Sequence, residues 1–170
     1  IKYPAKFMLL GAMNPCPCGY LGDKQKQCTC SDFQINRYQS RLSGPLLDRI
    51  DLQVEVPRLT SEELLNTQPA TETSEDIRKR VVKARKIQAE RYKNDGILTN
   101  SELTSKHCQI DKPSAELLKM AVVKYQLSGR RYDRVLKLAR TIADLDCSEN
   151  IQQTHLMQAL QYRMFNCQSN

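Results

Sequence analysis

The sequence predicts an α/β fold in which helices dominate. Residues 7–13 form a continuous apolar run of strand length, and residues 52–56 alternate apolar with polar side chains. From residue 74 onward, apolar residues recur instead at the spacing of amphipathic helices. We therefore expect a first half that contains strands and a second half that is entirely helical.

The first predicted strand, residues 7–13, is typical of a strand buried on both faces of a mainly parallel sheet. Asn14 and Pro15 end it. Ligands of open α/β sheets bind beyond the carboxyl ends of the strands. Asn14 is therefore a candidate site residue, and the alternative is an Asn-Pro turn that only ends the strand.

The next segment, residues 15–30, is a loop with four clustered cysteines in the order C-x-C, nine residues, C-x-C: Cys16, Cys18, Cys28 and Cys30. Four thiolates can complete a tetrahedral Zn²⁺ site, and Gly19 and Gly22 allow the chain to reverse between the pairs. Free thiols or a labile disulfide are the alternatives, because structural zinc sites usually place two or more residues between paired cysteines. A zinc ion here would be structural, since protein would fill all four positions.

Local signals predict the elements between residues 31 and 57. Ser31 and Gln34 fit a capping box, which predicts a helix to about Leu42. A short helical turn is expected at residues 46–49, and the alternating segment 52–56 is predicted as a strand that a proline ends.

The second half begins after a polar segment, residues 58–74, which we interpret as a linker and domain boundary with a short helix at residues 61–66. Thr73 or Ser74 can cap a long helix to about Lys93. Three further helices are predicted, the last from about Gln152.

Positive charge is concentrated on the long predicted helix. The chain carries 26 Lys and Arg against 19 Asp and Glu, a net charge of +7. One stripe of the helix is basic, formed by Lys79, Lys83, Lys86 and Lys93. Such a face can contact DNA phosphates, and a solvated face or one that pairs with an acidic neighbouring subunit is the alternative.

Several functional classes are excluded or disfavoured. No apolar run approaches the roughly 18 residues of a membrane span, so a membrane role is not expected. The first 13 residues resemble the interior of a fold more than a targeting peptide, which suggests a piece of a longer chain. An odd number of cysteines, seven, favours a reducing, cytoplasmic setting. His107 and His155 are assigned no chemistry.

Four segments together resemble the magnesium-chelatase-like AAA+ ATPases of the ComM (competence-associated helicase) type: AMNPCPCG at residues 12–19, RLSGPLLDRIDL at 41–52, SGRRYDR at 128–134 and ARTIADL at 139–145. The resemblance covers nearly the whole chain. It implies that residues 1–57 are the C-terminal part of an AAA+ P-loop core and that residues 75–170 form its all-α helical lid. It further implies an intact protein that uses ATP and Mg²⁺, assembles into a hexameric ring and drives DNA remodelling or branch migration.

The resemblance also implies roles for single residues. Asn14 matches the sensor-1 position, Arg49 the arginine finger and Arg130 the nucleotide-contacting sensor-2 arginine. The alternative for Arg49 is a surface ion pair with Asp48 or Asp51, and a solvated basic face is expected for Arg131. No Gly-Lys pair occurs in the chain, so its phosphate-binding loop is absent and the chain alone is not expected to hydrolyse ATP.

Two other functions remain compatible with these residues. A metal-chelatase motor subunit of tetrapyrrole synthesis shares the same ATPase framework, although the cysteine loop favours the ComM-like branch. A zinc-stabilised DNA-binding or assembly module without enzymatic activity is the alternative of a different class.

Overall fold

A computed structural model of the chain describes residues 7–65, 72–95 and 100–163. Across these ranges the chain is mostly helical, with eight helices: α1 (Asp32–Gln39), α2 (Gly44–Leu47), α3 (Ser61–Leu65), α4 (Ser74–Tyr92), α5 (Asn100–His107), α6 (Lys112–Tyr125), α7 (Gly129–Leu145) and α8 (Gln153–Gln161). None of these helices combines the length and the apolar character that a bilayer crossing needs. The prediction that helices dominate is confirmed.

The two predicted strands are wrong for the described residues. Neither residues 7–13 nor residues 52–56 form a strand, and the β pairing in the described ranges is an isolated parallel bridge between Ile110 and Ile151. Phe7, Leu10 and Val56 are 74%, 92% and 84% exposed. A strand buries its side chains and satisfies its backbone groups only beside partner strands. The described residues provide no such partners, so apolar patterning alone does not produce a sheet.

The chain divides into two compact units, Ile1–Leu47 and Asp48–Asn170. In the described part of the first unit, α1 begins at the predicted capping box. The Gln34 amide donates to Ser31 Oγ at 3.4 Å, and the Ser31 amide donates to Gln34 Oε1 at 2.9 Å. The helix ends at Gln39, slightly before the predicted end, and a turn leads into α2. Apart from Cys16, the described residues of this unit are exposed or half-buried.

The second unit contains a hydrophobic core centred on α7. Leu118 from α6 and Leu156 from α8 pack with Val135 and Ala139 of α7, and all four are almost completely buried. Each fully buried Leu or Val contributes about 1.5–3 kcal/mol relative to its exposed state. Helix α7 also packs against α4 and α5, so it is the central element of the unit.

The helix boundaries in this unit largely match the sequence predictions. Thr73 caps α4 through a reciprocal pair of hydrogen bonds with Asp76, at 3.2 and 3.4 Å. Helix α5 was not predicted, because its one large aliphatic residue, Leu103, gives no periodicity. Within the predicted linker, α3 forms as expected, while residues 66–71 lie outside the described residues. The position of the domain boundary stays a prediction.

A buried ion triad joins α4 to α7. The Asp144 carboxylate is fully buried and accepts hydrogen bonds from Arg91, at 2.7 and 2.5 Å, and from Arg140 Nε at 3.1 Å. Arg140 also donates to the carbonyls of Ser148 and Glu149 at 2.6 and 2.8 Å. The hydrogen bonds that Arg91 donates to Asp144 raise the pKa of Arg91. Each charge is therefore compensated, which a buried charge requires.

Candidate functional site

The four clustered cysteines lie together in the first unit. The Sγ atoms of Cys16 and Cys18 are 3.4 Å apart, those of Cys18 and Cys28 are 3.5 Å apart, and those of Cys16 and Cys28 are 3.7 Å apart. The four sulphur atoms, including that of Cys30, all lie within 4.8 Å of one another. None of these four cysteines is in a disulfide bond. The predicted convergence of these residues is confirmed.

The sulphur geometry fits a tetrahedral metal ion. A Zn–S bond of about 2.3 Å places tetrahedral thiolates about 3.8 Å apart, close to the separations seen here, whereas a disulfide bond is about 2.0 Å long. Gly19 and Gly22 adopt φ values of 84° and 81°, which confirms that they supply the chain reversal between the cysteine pairs. The cluster can therefore hold a metal such as zinc.

Three of the four thiols have shifted pKa values. Backbone hydrogen bonds from Tyr20 and Thr29 lower the pKa of Cys18 to about 5. At Cys28 a backbone hydrogen bond from Cys30 acts in the same direction, but burial and the neighbouring thiols outweigh it and raise the pKa to about 12. Burial also raises the pKa of Cys30. One thiolate forms readily, and further negative charge at the cluster needs a compensating cation.

Asn14 lies at the start of this cysteine loop. A Cβ atom placed on Gly19 would be 3.8 Å from both Cγ and Nδ2 of Asn14, so the amide sits beside the Gly19 turn. The turn itself is closed by a hydrogen bond from the Gly19 amide to the Cys16 carbonyl, at 3.0 Å. Asn14 is exposed. Its sensor-1 role stays a prediction.

In the second unit, arginines of α7 hold the segment that carries Arg49. Arg131 contacts Oδ1 of Asp48 through Nε at 2.6 Å and through a terminal nitrogen at 2.5 Å. Arg134 donates to the backbone carbonyl of Arg49 at 2.6 Å and pairs with Asp51. The expectation that Arg131 belongs to a solvated basic face is wrong, because its side chain is only 29% exposed.

The end of α8 holds the same segment from a second direction. Arg163 donates to the carbonyls of Ile50 at 2.9 Å, of Asp51 at 3.1 Å and of Asp48 at 3.4 Å. The amide of Gln53 donates to the Tyr162 carbonyl at 2.9 Å. Desolvation, with a further contribution from Arg134, lowers the pKa of Arg163. Residues 48–53 are thus fixed to α7 and α8 although they form no helix or strand. We call residues 48–51 with Arg131, Arg134 and Arg163 the arginine clamp.

The two candidate arginines both present exposed side chains. Arg49 lies within the clamp, and Arg130 occupies the first turn of α7, where Ser128 caps the helix as predicted by accepting from the Arg131 amide at 3.3 Å. The aspartates on either side of Arg49 pair with Arg131 and Arg134. The finger role of Arg49 and the sensor-2 role of Arg130 stay predictions.

The basic stripe on α4 is exposed but partly paired. Lys79 contacts Glu75 at 3.1 Å and Asp76 at 3.8 Å, and Lys93 contacts Glu90 at 3.6 Å. Lys83 and Lys86 lie between these pairs and are also exposed. The middle of α4 therefore keeps a positive surface.

Both histidines have acidic partners that the sequence did not reveal. Lys106 and His107 of α5 contact Asp95, whose side chain is only 5% exposed, and these contacts, that of Lys106 most strongly, lower the pKa of Asp95. Nδ1 of His155 accepts from the Gln152 amide at 3.0 Å, and its Nε2 lies 3.2 Å from Asp146. The first group ties the end of α4 to α5, and the second fixes the start of α8.

Magnesium does not fit a site built by the described residues. Mg²⁺ prefers oxygen ligands, usually carboxylates, waters and phosphates. Among the described residues, the ligand atoms of three or more His, Cys, Asp or Glu side chains converge only at the cysteine cluster. The exposed guanidinium groups of Arg49 and Arg130 suit phosphate oxygens but cannot ligate a cation.

Two protein-family models match the chain. The model described as "Magnesium chelatase, subunit ChlI" matches residues 1–64, and "Magnesium chelatase, subunit ChlI C-terminal" matches residues 71–163. Among curated proteins, the chain is 45% identical over 164 residues to "Competence protein ComM" of Haemophilus influenzae. It is 39% identical over 163 residues to the uncharacterized protein YifB of Escherichia coli, and 38% identical over 147 residues to an uncharacterized protein of Mycobacterium tuberculosis.

These matches cover most of this chain but only part of each relative. They include 96% of the chain for the Haemophilus and Escherichia proteins and 84% for the mycobacterial protein. The chain spans about a third of the length of these relatives, 32% for the first two and 28% for the third.

Proposed function

We propose a function for this chain from its family: it belongs to the magnesium chelatase ChlI family of AAA+ proteins and is similar to ComM. In this proposal it forms the C-terminal part of an ATPase that couples ATP hydrolysis to DNA remodelling. In this proposal, the remainder of the intact protein supplies the phosphate-binding loop and the Mg²⁺ ligands. This chain supplies arginines that respond to nucleotide. The whole protein assembles into a ring, as a hexamer, in which one subunit reaches the nucleotide of the next.

The observation that best supports this function is the placement of Arg49. Its side chain is exposed, while the carbonyl of the same residue and the side chains of Asp48 and Asp51 are held by arginines of α7. Phosphoryl transfer depends on positioning and on stabilisation of charge that develops on the phosphoryl oxygens. A guanidinium on a fixed backbone suits this task, because it is always charged and presents a planar set of donors.

Arg130 and Asn14 complete the proposed nucleotide-responding set. Arg130 projects from the first turn of α7, so contact with a phosphate would act directly on the central helix of the second unit. Asn14 carries an amide that can orient a water molecule or contact the γ-phosphate. Both assignments come from the family motif, and the exposure of both side chains is compatible with them.

The cysteine cluster is proposed to hold a structural zinc ion. All four ligand positions would be filled by Cys16, Cys18, Cys28 and Cys30, so the ion would leave no position for an activated water. Its proposed role is to fold the loop after Asn14.

DNA is the proposed partner of α4. The exposed Lys83 and Lys86, with positive charge on both sides of them, can neutralise neighbouring phosphates. The printed name of the Haemophilus relative, a competence protein, agrees with a DNA-linked role. A chelatase-type motor is the second candidate, favoured by the descriptions of both matching family models.

The test uses the intact protein and an Arg49→Ala variant. We expect this change to lower the ATP turnover number by about 10³- to 10⁵-fold, because an arginine finger acts on charge that develops during transfer. ATP affinity should change little. Turnover within a few-fold of the unaltered protein would show that Arg49 is an ordinary surface residue.

A second arm of the same assay separates the two candidate motors. Turnover of the unaltered protein is measured with and without duplex and branched DNA at fixed salt. DNA-stimulated turnover supports the remodelling function. Turnover that is indifferent to every DNA, at a salt concentration where basic proteins still bind it, favours the chelatase-type motor.

A further inference from the structure

The arginine clamp concentrates its contacts on one short stretch of backbone. Arg131, Arg134 and Arg163 together bind the carboxylates of Asp48 and Asp51 and the carbonyls of all four residues from 48 to 51. The stretch forms no helix or strand, and these contacts, with the hydrogen bond between Gln53 and Tyr162, hold its path.

The clamp brings like charges together, which general stability does not favour. Desolvation, with contributions from Arg134 and Arg131, lowers the pKa of Arg163, although Asp51 and Asp48 act in the opposite direction. Holding each long side chain in one geometry also costs about 2 kcal/mol of rotamer entropy. The Asp51 carboxylate is 76% exposed, and exposed ion pairs contribute only about 0–1 kcal/mol. What the arrangement does secure is the position of the exposed residue between the two aspartates, Arg49.

We propose that Arg131, Arg134 and Arg163 are positioning residues that aim Arg49, and that they couple its position to Arg130. Arg130 and Arg131 are neighbours in the first turn of α7, so a movement of this turn caused by nucleotide contact at Arg130 reaches the Arg49 segment through the pair of Arg131 with Asp48. The inference rests on the proposed finger role of Arg49. It adds the route by which the lid helix controls that finger.

Loss of the clamp should lower the turnover number as the misplacement of a catalytic group does. Misplacing a catalytic group by about 1 Å can cost about 100-fold in rate. An Arg131→Gln change removes the charge that holds Asp48 but leaves Arg49 in the chain. We therefore expect it to lower the turnover number of the intact protein by about 10- to 100-fold while KM for ATP stays within about threefold, because ground-state binding does not depend on the aim of a finger.

A double-mutant cycle distinguishes positioning from general stabilisation. Once Arg49 is replaced by Ala, its aim no longer matters, so adding Arg131→Gln should change the turnover number by less than about threefold. A residue that merely stabilises the fold would cause the same loss in both backgrounds. Arg37→Gln, an exposed arginine of α1, is the matched control and should alter turnover by less than about twofold in either background.

A second variant keeps the test decisive if Arg131→Gln does not fold. Asp48→Asn keeps the shape of the side chain and removes only the charge that faces Arg131, and it is measured in the same cycle. A loss of turnover with either variant that disappears in the Arg49→Ala background supports the clamp. Unchanged turnover with both variants, or a loss that persists beside Arg49→Ala, overturns the positioning role alone. If Arg49→Ala itself leaves turnover intact, the finger and the clamp both fail.

Discussion

Each of the two compact units has its own kind of stabilising interaction. In the described part of the first unit, Cys16 is the buried residue and four sulphur atoms converge on one point. The described part of the second unit instead has a core of ten buried apolar residues, on α6, α7 and α8 and in the segments before α6 and α8, with an ion triad beside it. A unit without an apolar core needs another source of free energy, which small domains commonly take from a metal.

The comparison teaches where substitutions should matter. In the second unit, order should depend on close packing and on compensated buried charge. In the first, it should depend on whether four thiolates share a cation, and apolar substitutions should have little effect.

Removal of metal should unfold the first unit and leave the second helical. Structural zinc in small domains contributes an apparent binding free energy of about 10–16 kcal/mol, and the described residues of the first unit supply no apolar core in its place. Amide hydrogen exchange with and without a strong chelator measures both units, and elemental analysis under reducing conditions gives the zinc content. Cys16→Ser should have the effect of the chelator, whereas Cys147→Ser, at an exposed free cysteine, should have none. Less than about a tenth of an equivalent of zinc would contradict the metal assignment.

Asp144→Asn should be among the most destabilising single changes in the second unit. It leaves the buried guanidinium group of Arg140 and the half-buried one of Arg91 without a counter-charge, and breaking a buried ion pair typically costs about 3–5 kcal/mol. Urea unfolding followed by helical circular dichroism measures the loss. The matched control is Asp146→Asn, because Asp146 is 62% exposed in its pair with His155 and such pairs contribute only about 0–1 kcal/mol. Equal midpoints for the two variants would refute the importance of the triad.

Thr73→Ala should give a smaller loss in the same unit. The change removes the side-chain half of the capping box of α4, which is typically worth about 0.5–2 kcal/mol. Thr73→Ser keeps the hydroxyl and should restore most of the loss. Ser31→Ala removes the same motif from α1, and its effect should appear in the chelator-sensitive transition of the first unit. If Ser31→Ala instead shifted the unfolding midpoint of the second unit, helices α4 to α8, the two units would not be stabilised independently.

Local signals along the chain were sufficient for most helices. The capping boxes at Ser31 and Thr73, and the cap of α7 at Ser128, act within a few residues, so their sequence patterns and their structures coincide. Residues 7–13 and 52–56 carry strand patterns, but a strand depends on partners distant in sequence, which no local pattern can supply. Helix α5 is the reverse case: the helix forms, but it has no apolar stripe by which the sequence could predict it.

The candidate site shows the same division. The four cysteines could be grouped from their spacing, because two close pairs on a loop with glycine turns have few ways to be arranged. The clamp could not be predicted, since Arg131 lies 83 residues from Asp48 and Arg163 lies 115 residues from it. The triad of Arg91 with Asp144 also spans 53 residues, and neither charge pattern is periodic.

The position of residues 48–53 has a practical consequence for anyone who divides this protein into pieces. A cut at the predicted end of the core, after residue 57, would separate Asp48 and Asp51 from the helices that bind them. The remaining helical piece would then expose the guanidinium groups of Arg131, Arg134 and Arg163 without their acidic and carbonyl partners. These three groups could bind anions that they do not bind in the intact protein. Affinity of such a piece for nucleic acid or heparin would be a product of the dissection, and it would be misread as a binding property of the intact protein.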